Sequence, residues 1–178
     1  LGKLTEGQIK YNQAKDIRYE YFNENSIEYS EVLHYEAQLS MILCEYQESL
    51  RKNIEVLSIR SVYLSDTHPL ISDTYHSLGV IYTLLGQYVE AGKYLALAMN
   101  IRNELVVTPP GMHPLVTQTN CTQAELLRLQ GDYDNARILI EQCLEEYKLL
   151  YGKENANYLY AQQCFGVLLR DQGDLENA

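Results

Sequence analysis

The chain has 178 residues, a formal net charge of −10 and a hydrophobic fraction of 46%. This length can bury one core or one continuous repeat array, and this composition excludes a disordered chain. The excess of 24 acidic over 14 basic side chains argues against a nucleic-acid partner and against an anionic membrane surface. No apolar run approaches the roughly 20 residues that cross a bilayer.

The cysteines and the start of the chain indicate a compartment. Cys44, Cys121, Cys143 and Cys164 form no Cys-x-x-Cys pair, and the chain lacks the cysteine density of a disulfide scaffold. Its first residues lack the apolar run of a secretory signal peptide. We therefore expect reduced thiols in a cytoplasmic protein, with association to the cytoskeleton as a further interpretation.

A six-residue pattern recurs along the chain. It begins at residues 2, 44, 86, 131 and 173, as GKLTEG, CEYQES, GQYVEA, GDYDNA and GDLENA. The intervals are 42, 42, 45 and 42 residues. Two other markers keep this register. An Ile-Arg pair ends each of the triplets at 16–18, 58–60 and 100–102, and the triplet HPL occurs at 68–70 and 113–115. Three markers in one phase indicate a repeat protein.

The first half of each period has the pattern of a helix. In the best-defined period Pro69 suits a first helical turn, and Asp66 or Thr67 is expected to cap the helix just before it. Gly86 supplies the permissive backbone that ends the helix. The apolar stripe between them is Tyr75, Leu78, Tyr82 and Leu85.

The second half of the period predicts another helix. Its stripe is Ala91, Leu95, Ala98 and Ile101, and the prolines at 109–110 follow it as terminators. A small residue five places after each turn lets the two helices approach closely. We predict an all-α fold in which antiparallel helix pairs stack into an α-solenoid.

These residues resemble a known family. The positions that look like the tetratricopeptide pattern are Tyr75, Leu78, Gly79, Tyr82, Gly86, Tyr88, Ala91 and Ala98. The 42-residue period with its HPL and Ile-Arg markers resembles the longer repeats of the kinesin light chain type. The resemblance covers almost the whole chain and implies a right-handed superhelix. A HEAT-like or armadillo array, with a period of roughly 40–47 residues, is the alternative, but it has no reason to keep Gly-x-Tyr-x-x-Ala.

The repeat register assigns the whole chain to a single array. We expect the second helix of a truncated repeat at 1–25, repeats at 26–67, 68–112 and 113–154, and a first helix with the start of a second at 155–178. This phase of the two ends indicates a fragment of a longer array.

The resemblance also implies a function. Similar arrays bind peptides or proteins in a concave groove lined by the first helix of each pair, so we expect a non-enzymatic adaptor or scaffold. The carried-over groove positions are Glu31, His34, Tyr35, Gln38, Asp73, His76, Ser77, Cys121, Thr122, Glu125, Arg128, Tyr160, Gln163, Cys164 and Arg170. Two other hypotheses are an architectural segment of a larger cytoskeletal or multiprotein assembly and a regulatory sensor array of a larger enzyme. Self-association through the array ends is a further hypothesis.

The groove departs from two well-known ligand classes of the family. Chaperone-binding arrays hold a C-terminal carboxylate with a lysine and asparagine clamp, whereas the matching positions here are histidines, Gln38, Val80 and Thr122, without a groove lysine. Kinesin light chains carry asparagines in the first helix, where this chain has HYEA at 34–37 and HSLG at 76–79. The resemblance therefore implies the scaffold and no particular ligand.

The histidines and cysteines are candidates for chemical sites. His34, His76 and Cys121 fall at equivalent places, but neighbouring helices pack about 8–10 Å apart while zinc ligands lie about 2 Å from the metal. Cys121 with His76 lacks an orienting third group for nucleophilic catalysis. We therefore expect no metal, no cofactor and no catalytic residue. His68 and His113, in the HPL triplets, are expected to cap loops.

Overall fold

The computed structural model describes residues 9–10, 12–13, 16–17, 20–21, 25–105 and 113–173. Most of the helix predicted at 1–25, the proline connector and the last recurring turn therefore lie outside the described residues. Within the described part the chain forms α-helices and no strand. The seven helices with defined bounds are α1 (Ile27–Ile42), α2 (Tyr46–Tyr63), α3 (Pro69–Leu84), α4 (Tyr88–Leu105), α5 (Pro114–Leu129), α6 (Tyr133–Tyr151) and α7 (Ala156–Gln172).

The helices pack as consecutive pairs. Helix α1 packs on α2 and α5 packs on α6, while α7 contacts both α6 and α5. The prediction of an all-α fold of antiparallel helix pairs is therefore confirmed. The chain divides into two compact units, residues 1–74 and residues 75–178.

A left-handed residue ends the first helix of each pair. Gly86 and Gly131 have φ values of 73° and 83°, as the sequence predicted, because glycine adopts this conformation without a side-chain penalty. Cys44 holds the same place after α1 with a φ of 62° and is the non-glycine residue with positive φ among the described residues. The conformation is therefore set by the turn and not by glycine alone.

A small residue then brings the second helix close to the first. Ser49, Ala91 and Ala136 follow their turns by five positions and are between 0% and 1% exposed. The Ser49 hydroxyl also donates a 2.6 Å hydrogen bond to the carbonyl of Ala37 on α1. The close contact predicted from the repeat pattern is thus present in both units.

Histidines cap the helices that begin with proline. Nδ1 of His113 accepts a 3.3 Å hydrogen bond from the backbone N–H two residues later, and Nδ1 of His68 accepts the equivalent bond at 3.1 Å. The capping role expected for these histidines is confirmed. The prediction that Asp66 or Thr67 caps α3 is wrong, because α3 begins at Pro69 and His68, directly before it, accepts the capping hydrogen bond.

A buried arginine joins the helices of residues 1–74. Arg60, near the end of α2, is 2% exposed. Its Nε donates to the Ser30 hydroxyl of α1 at 3.3 Å, and one terminal nitrogen donates to the Leu70 carbonyl and the Thr74 hydroxyl of α3, both at 2.8 Å. The arginine of the Ile-Arg marker therefore fastens a helix pair to the first helix of the next repeat.

The same contact recurs in residues 75–178. Arg102 of α4 is also 2% exposed and donates to the Leu115 carbonyl at 2.8 Å and to the Thr119 hydroxyl at 2.6 Å. At the equivalent places of the next junction the chain has Tyr147 and Ala161, which are 2% and 0% exposed. At this junction the large neutral side chain of Tyr147 and the small side chain of Ala161 thus replace the hydrogen-bonded arginine and threonine.

Helices α3 and α4 approach each other closely at a glycine. A Cβ atom on Gly79 would lie 2.6 Å from both Cγ and Cδ2 of Leu95. In the same helix pair the rings of Tyr82 and Tyr94 stack with centroids 5.4 Å apart and planes 5° apart. The glycine of the tetratricopeptide pattern is therefore required by packing.

We predict opposite effects for two glycine-to-alanine changes. Gly79→Ala should lower the free energy of unfolding by about 1–3 kcal/mol, because the added methyl group overlaps Leu95 in a filled contact. Gly92→Ala in α4 should raise it by about 0.5–1 kcal/mol, because the nearest atom to the new Cβ is 3.9 Å away and alanine favours the helix. Urea unfolding followed by circular dichroism measures both, and equal effects would contradict the packing role of Gly79.

We also predict that two arginines of α2 differ in importance. Arg60→Ala should lower the free energy of unfolding by about 2–4 kcal/mol, because it leaves buried oxygen atoms without a donor. Arg51→Ala should change it by no more than about 1 kcal/mol, since Arg51 is exposed and pairs with Glu48 and Glu55 at the surface. The same urea titration compares the variants, and a mild effect of Arg60→Ala would show that the contact is dispensable.

Candidate partner-binding surface

The predicted surface residues differ in exposure. The exposed members are Tyr35, Gln38, Tyr160, Gln163 and Arg170. The half-buried members are Glu31, Asp73, Ser77, Thr122, Glu125, Arg128 and Cys164. The buried members are His34, His76 and Cys121. Within residues 1–74 the set comprises the α1 residues and Asp73, and the remaining members belong to residues 75–178.

Helix α1 presents one continuous face in the first unit. Glu31, Tyr35 and Gln38 follow each other at the spacing of one helical face. The Tyr35 side chain is 58% exposed, and the Gln38 amide nitrogen lies 3.0 Å from Nε2 of His34. An aromatic ring and an amide thus stand next to each other on the outside of α1.

Helices α5 and α7 contact each other directly in the second unit. On α5 Thr122 and Glu125 are half-buried, and on α7 Tyr160 is 50% exposed beside the exposed Gln163. Tyr160 and Gln163 have the same three-residue separation as the tyrosine and glutamine of α1. Each unit therefore carries one exposed Tyr-x-x-Gln pair on a first helix.

A network of charges connects α5 to α7. Arg128 donates to both carboxylate oxygens of Glu125, at 2.9 and 2.6 Å, and to the carboxylate of Asp171. Arg170 donates to the other oxygen of Asp171 at 3.0 Å. Hydrogen bonding to Glu125 raises the pKa of Arg128, and hydrogen bonds from Arg170 and Arg128 lower the pKa of Asp171. Arg128 and Asp171 are thus charged at neutral pH and hold the two first helices at a fixed spacing.

An open polar pocket adjoins this network. It has a volume of roughly 380 Å³ and lies where the turn after α5 meets the end of α7. Its lining residues are Gly131, Asp132, Tyr133, Asp134, Asp171 and Gln172. The sequence did not predict this pocket, because the GDY motif was assigned a turn role and Asp171 carries no repeat marker.

The structure corrects the orientation of three predicted surface residues. His34 and His76 are each 8% exposed, and Cys121 is 1% exposed. They share the ninth position counted from the helix cap, which is buried in each of the three helices. A contact surface for a partner therefore depends on the other members of the set.

Burial decides the charge state of both buried histidines. Burial lowers the pKa of His76 to about 3, and the nearby positive charge of Arg102 acts in the same direction. Burial also lowers the pKa of His34, with Arg60 as the second cause. Both imidazoles are therefore neutral at neutral pH.

Three cysteines come together in residues 75–178. Cys121 and Cys143 belong to one buried cluster, and Cys164 packs against it. Hydrogen bonding to Cys121 and burial raise the pKa of Cys143, and burial raises the pKa of Cys164 to about 11. Because the thiolate is the reactive form, neither thiol is activated as a nucleophile at neutral pH.

Neither a metal site nor a membrane-spanning helix is found among the described residues. Among them, no three histidine, cysteine, aspartate or glutamate side chains are grouped so that they could hold a metal ion. None of the described helices combines the length and the apolar character that crossing a bilayer would require.

The helix pairs, the left-handed turns and the recurring contacts define the chain as an α-helical repeat protein. The family model described as tetratricopeptide repeat matches residues 28–104, and a second model of the same description matches residues 117–148. The chain belongs to the tetratricopeptide-repeat family, as its sequence pattern predicted. A search of curated proteins finds no match.

Solved structures show the same fold. The nearly identical TPR-like repeats assigned to a kinesin light chain of Podosopora anserina align with a TM-score of 0.67 and 20% identity over 98% of this chain and 82% of that chain. BtubC (BKLC) from P. vanneervenii aligns with a TM-score of 0.74 and 16% identity over 99% of this chain and 69% of that chain. The fold is therefore that of kinesin light chain-like repeat arrays.

We predict that Asp171 contributes to stability mainly through its ion pair with Arg128, which joins α5 to α7, and only slightly through its pair with the exposed neighbouring Arg170. Asp171→Asn should lower the thermal midpoint at low salt, and the loss should shrink as salt screens the charges. In an Arg128→Gln background the same change should have a much smaller effect, because only the exposed pair with Arg170 is left. Differential scanning calorimetry of the four proteins measures the coupling.

The matched control for this coupling is Asp134→Asn. It removes one negative charge from the same pocket, outside the Arg128 network. An equal loss from Asp134→Asn would mean that net charge, and not the ion pair, accounts for the effect.

Proposed function

We propose that the chain is a non-enzymatic module that binds a protein or peptide partner through exposed residues of its first helices. The observation that carries this proposal is the exposed Tyr-x-x-Gln pair, which occurs once in each unit as Tyr35 with Gln38 and as Tyr160 with Gln163. Membership of the tetratricopeptide-repeat family supports it, since such repeats generally mediate protein–protein interaction.

The chemistry of the pair suits an extended peptide. Tyrosine offers a large rigid ring with a polar tip, so it gains contact area at a small cost in conformational entropy. The glutamine amide is both a donor and an acceptor and can satisfy a backbone N–H and C=O of a bound strand. Such a pair recognises backbone and apolar side chains without requiring a charged ligand.

The setting of the pairs supports the same proposal. The free cysteines fit a reducing compartment, so we place the protein in the cytoplasm. The net charge of −10 disfavours nucleic acid and anionic membranes as partners. A regulatory array attached to an enzyme would use the same binding chemistry.

An architectural role is the second candidate. Ile138 and Leu149 of α6 are 66% and 68% exposed. They are eleven residues apart, about three helical turns, and therefore lie on one side of the helix. Exposed aliphatic side chains of this kind fit lateral packing of repeats within a larger assembly.

A displayed library of random twelve-residue peptides tests the binding proposal. Peptides that the wild-type chain enriches would be synthesised with a fluorophore, and their dissociation constants measured by fluorescence anisotropy. We expect the variants Tyr35→Ala/Gln38→Ala and Tyr160→Ala/Gln163→Ala to weaken binding, at least one of them by roughly tenfold or more, because truncating an aromatic anchor of an interface costs more than about 1 kcal/mol.

The control is Ile138→Ala/Leu149→Ala, which changes exposed residues of a second helix. It should leave peptide affinity unchanged. Failure to enrich any peptide, or undiminished affinity in both tyrosine variants, would count against the binding proposal. A change in sedimentation behaviour confined to the control variant would favour the architectural role.

A further inference from the structure

The first two complete helix pairs bury the same two side chains at equivalent places. His34 and His76 are 42 residues apart in the sequence, as are Arg60 and Arg102. Both histidines are 8% exposed and both arginines are 2% exposed. The helix pairs α1–α2 and α3–α4 thus each bury one histidine, and each also buries the arginine that fastens the helix pair to the next repeat.

In the first unit the imidazole and the guanidinium share the α1–α2 contact. Arg60 donates to the hydroxyl of Ser30, which lies one turn before His34 on the same face of α1. Asn53 of α2 and Asp73 of α3 also lie near His34, and both favour its charged form. Burial and Arg60 outweigh them, so the net effect opposes a proton.

Groups of α1 itself complete the surroundings of His34. The Tyr35 ring centroid lies 6.4 Å from that of His34, and the Gln38 amide nitrogen is 3.0 Å from Nε2. Glu31 and Tyr35 act electrostatically on Arg60. The groups directly beside the imidazole on α1 are thus an aromatic ring and an amide, and neither is a carboxylate.

In the second unit the surroundings are still less favourable to a charged imidazole. Within the described part of the chain Nδ1 of His76 is buried without a hydrogen-bond partner. The charged group that acts on His76 is Arg102 of α4, which repels a second positive charge. A proton on His76 would therefore meet low polarity and a like charge together.

The third helix pair, α5–α6, has neither the buried histidine nor the buried arginine. Cys121 takes the place of the histidine and Tyr147 that of the arginine, and they are 1% and 2% exposed. Burial raises the pKa of Tyr147 above its ordinary value, and hydrogen bonding to Cys121 acts in the same direction. Neither a thiol nor a phenol becomes positively charged on protonation, so at this position the α5–α6 pair has no group that proton uptake would turn into a cation.

We propose that His34 and His76 form an acid-sensitive device in which proton uptake opens the α1–α2 and α3–α4 pairs and releases their arginines, while the α5–α6 pair stays closed. The device follows from the fold: in each pair the buried arginine that joins the repeats acts electrostatically on the buried imidazole, and two positive charges there would repel each other. Mild acid would thus loosen one part of the array before the other.

The direction of the effect follows from proton binding. The folded pKa of each histidine lies below the ordinary value of about 6.5, so the unfolded state binds more protons below that pH. Stability is fully present above about pH 6.5 and is lost as the pH falls. With a folded pKa of about 3, His76 alone lowers the folding equilibrium constant about tenfold between pH 7.5 and pH 5.5.

Urea unfolding of the whole chain at pH 7.5 and pH 5.5 tests the proposal. We expect the wild type to lose stability at pH 5.5 and His34→Gln/His76→Gln to lose much less, since glutamine is the natural residue at the equivalent place in α7 (Gln163). The control His68→Asn/His113→Asn removes the other two imidazoles and keeps a capping residue, as Asn155 shows in α7. It should behave like the wild type.

Hydrogen exchange of the wild type keeps the test decisive even where a glutamine variant folds poorly. At pH 5.5, after correction for intrinsic exchange rates, α1 to α4 should lose protection while α5 to α7 keep theirs. Equal loss in all helices, or undiminished acid sensitivity of a folded His34→Gln/His76→Gln protein, would overturn the proposal. Loss of the pH effect in the capping control would overturn it as well.

Discussion

The contact that fastens one repeat to the next is a buried guanidinium bound to neutral oxygens. In both arginine junctions the same threonine hydroxyl accepts from the arginine and donates to a first-turn carbonyl, as Thr74 does to Leu70 and Thr119 does to Leu115. A buried charge without such acceptors would be destabilising, so the guanidinium depends on the threonine hydroxyl and the backbone carbonyl together. The junction at Tyr147 supports this view, because there the arginine and the threonine are both replaced.

This contact determines which side of each first helix is packed and which side remains at the surface. The packed side carries the buried position of His34, His76 and Cys121, whereas the side one residue further carries Tyr35, Ser77 and Thr122. Successive residues of a helix differ by about 100° in direction, so adjacent positions serve packing and surface separately. The exposed position of Tyr35 on α1 is a consequence of that division.

The sequence alone predicted the repeat, the helix pairs and the turns, because a fixed period of glycines, apolar stripes and proline starts depends on local physics. It misplaced the cap of α3, since any of the polar residues before Pro69 can accept a backbone hydrogen bond and only the loop geometry selects His68. It assigned His34 to the surface because the groove positions were carried over from the family resemblance, and such a carry-over defines a helical face only to within about one residue. The α5–α7 network was invisible, as Arg128 and Asp171 are 43 residues apart and share no motif.

The proposed surface and the proposed acid response meet on one helix and are separate on another. On α1 the tyrosine of the exposed pair follows His34 directly, so any displacement of α1 on proton uptake would move Tyr35 and Gln38 with it. On α7 the place equivalent to His34 is Gln163, which is exposed and itself belongs to the pair there. A partner held by the α1 pair would thus lose those contacts in mild acid, whereas contacts made by the α7 pair would persist.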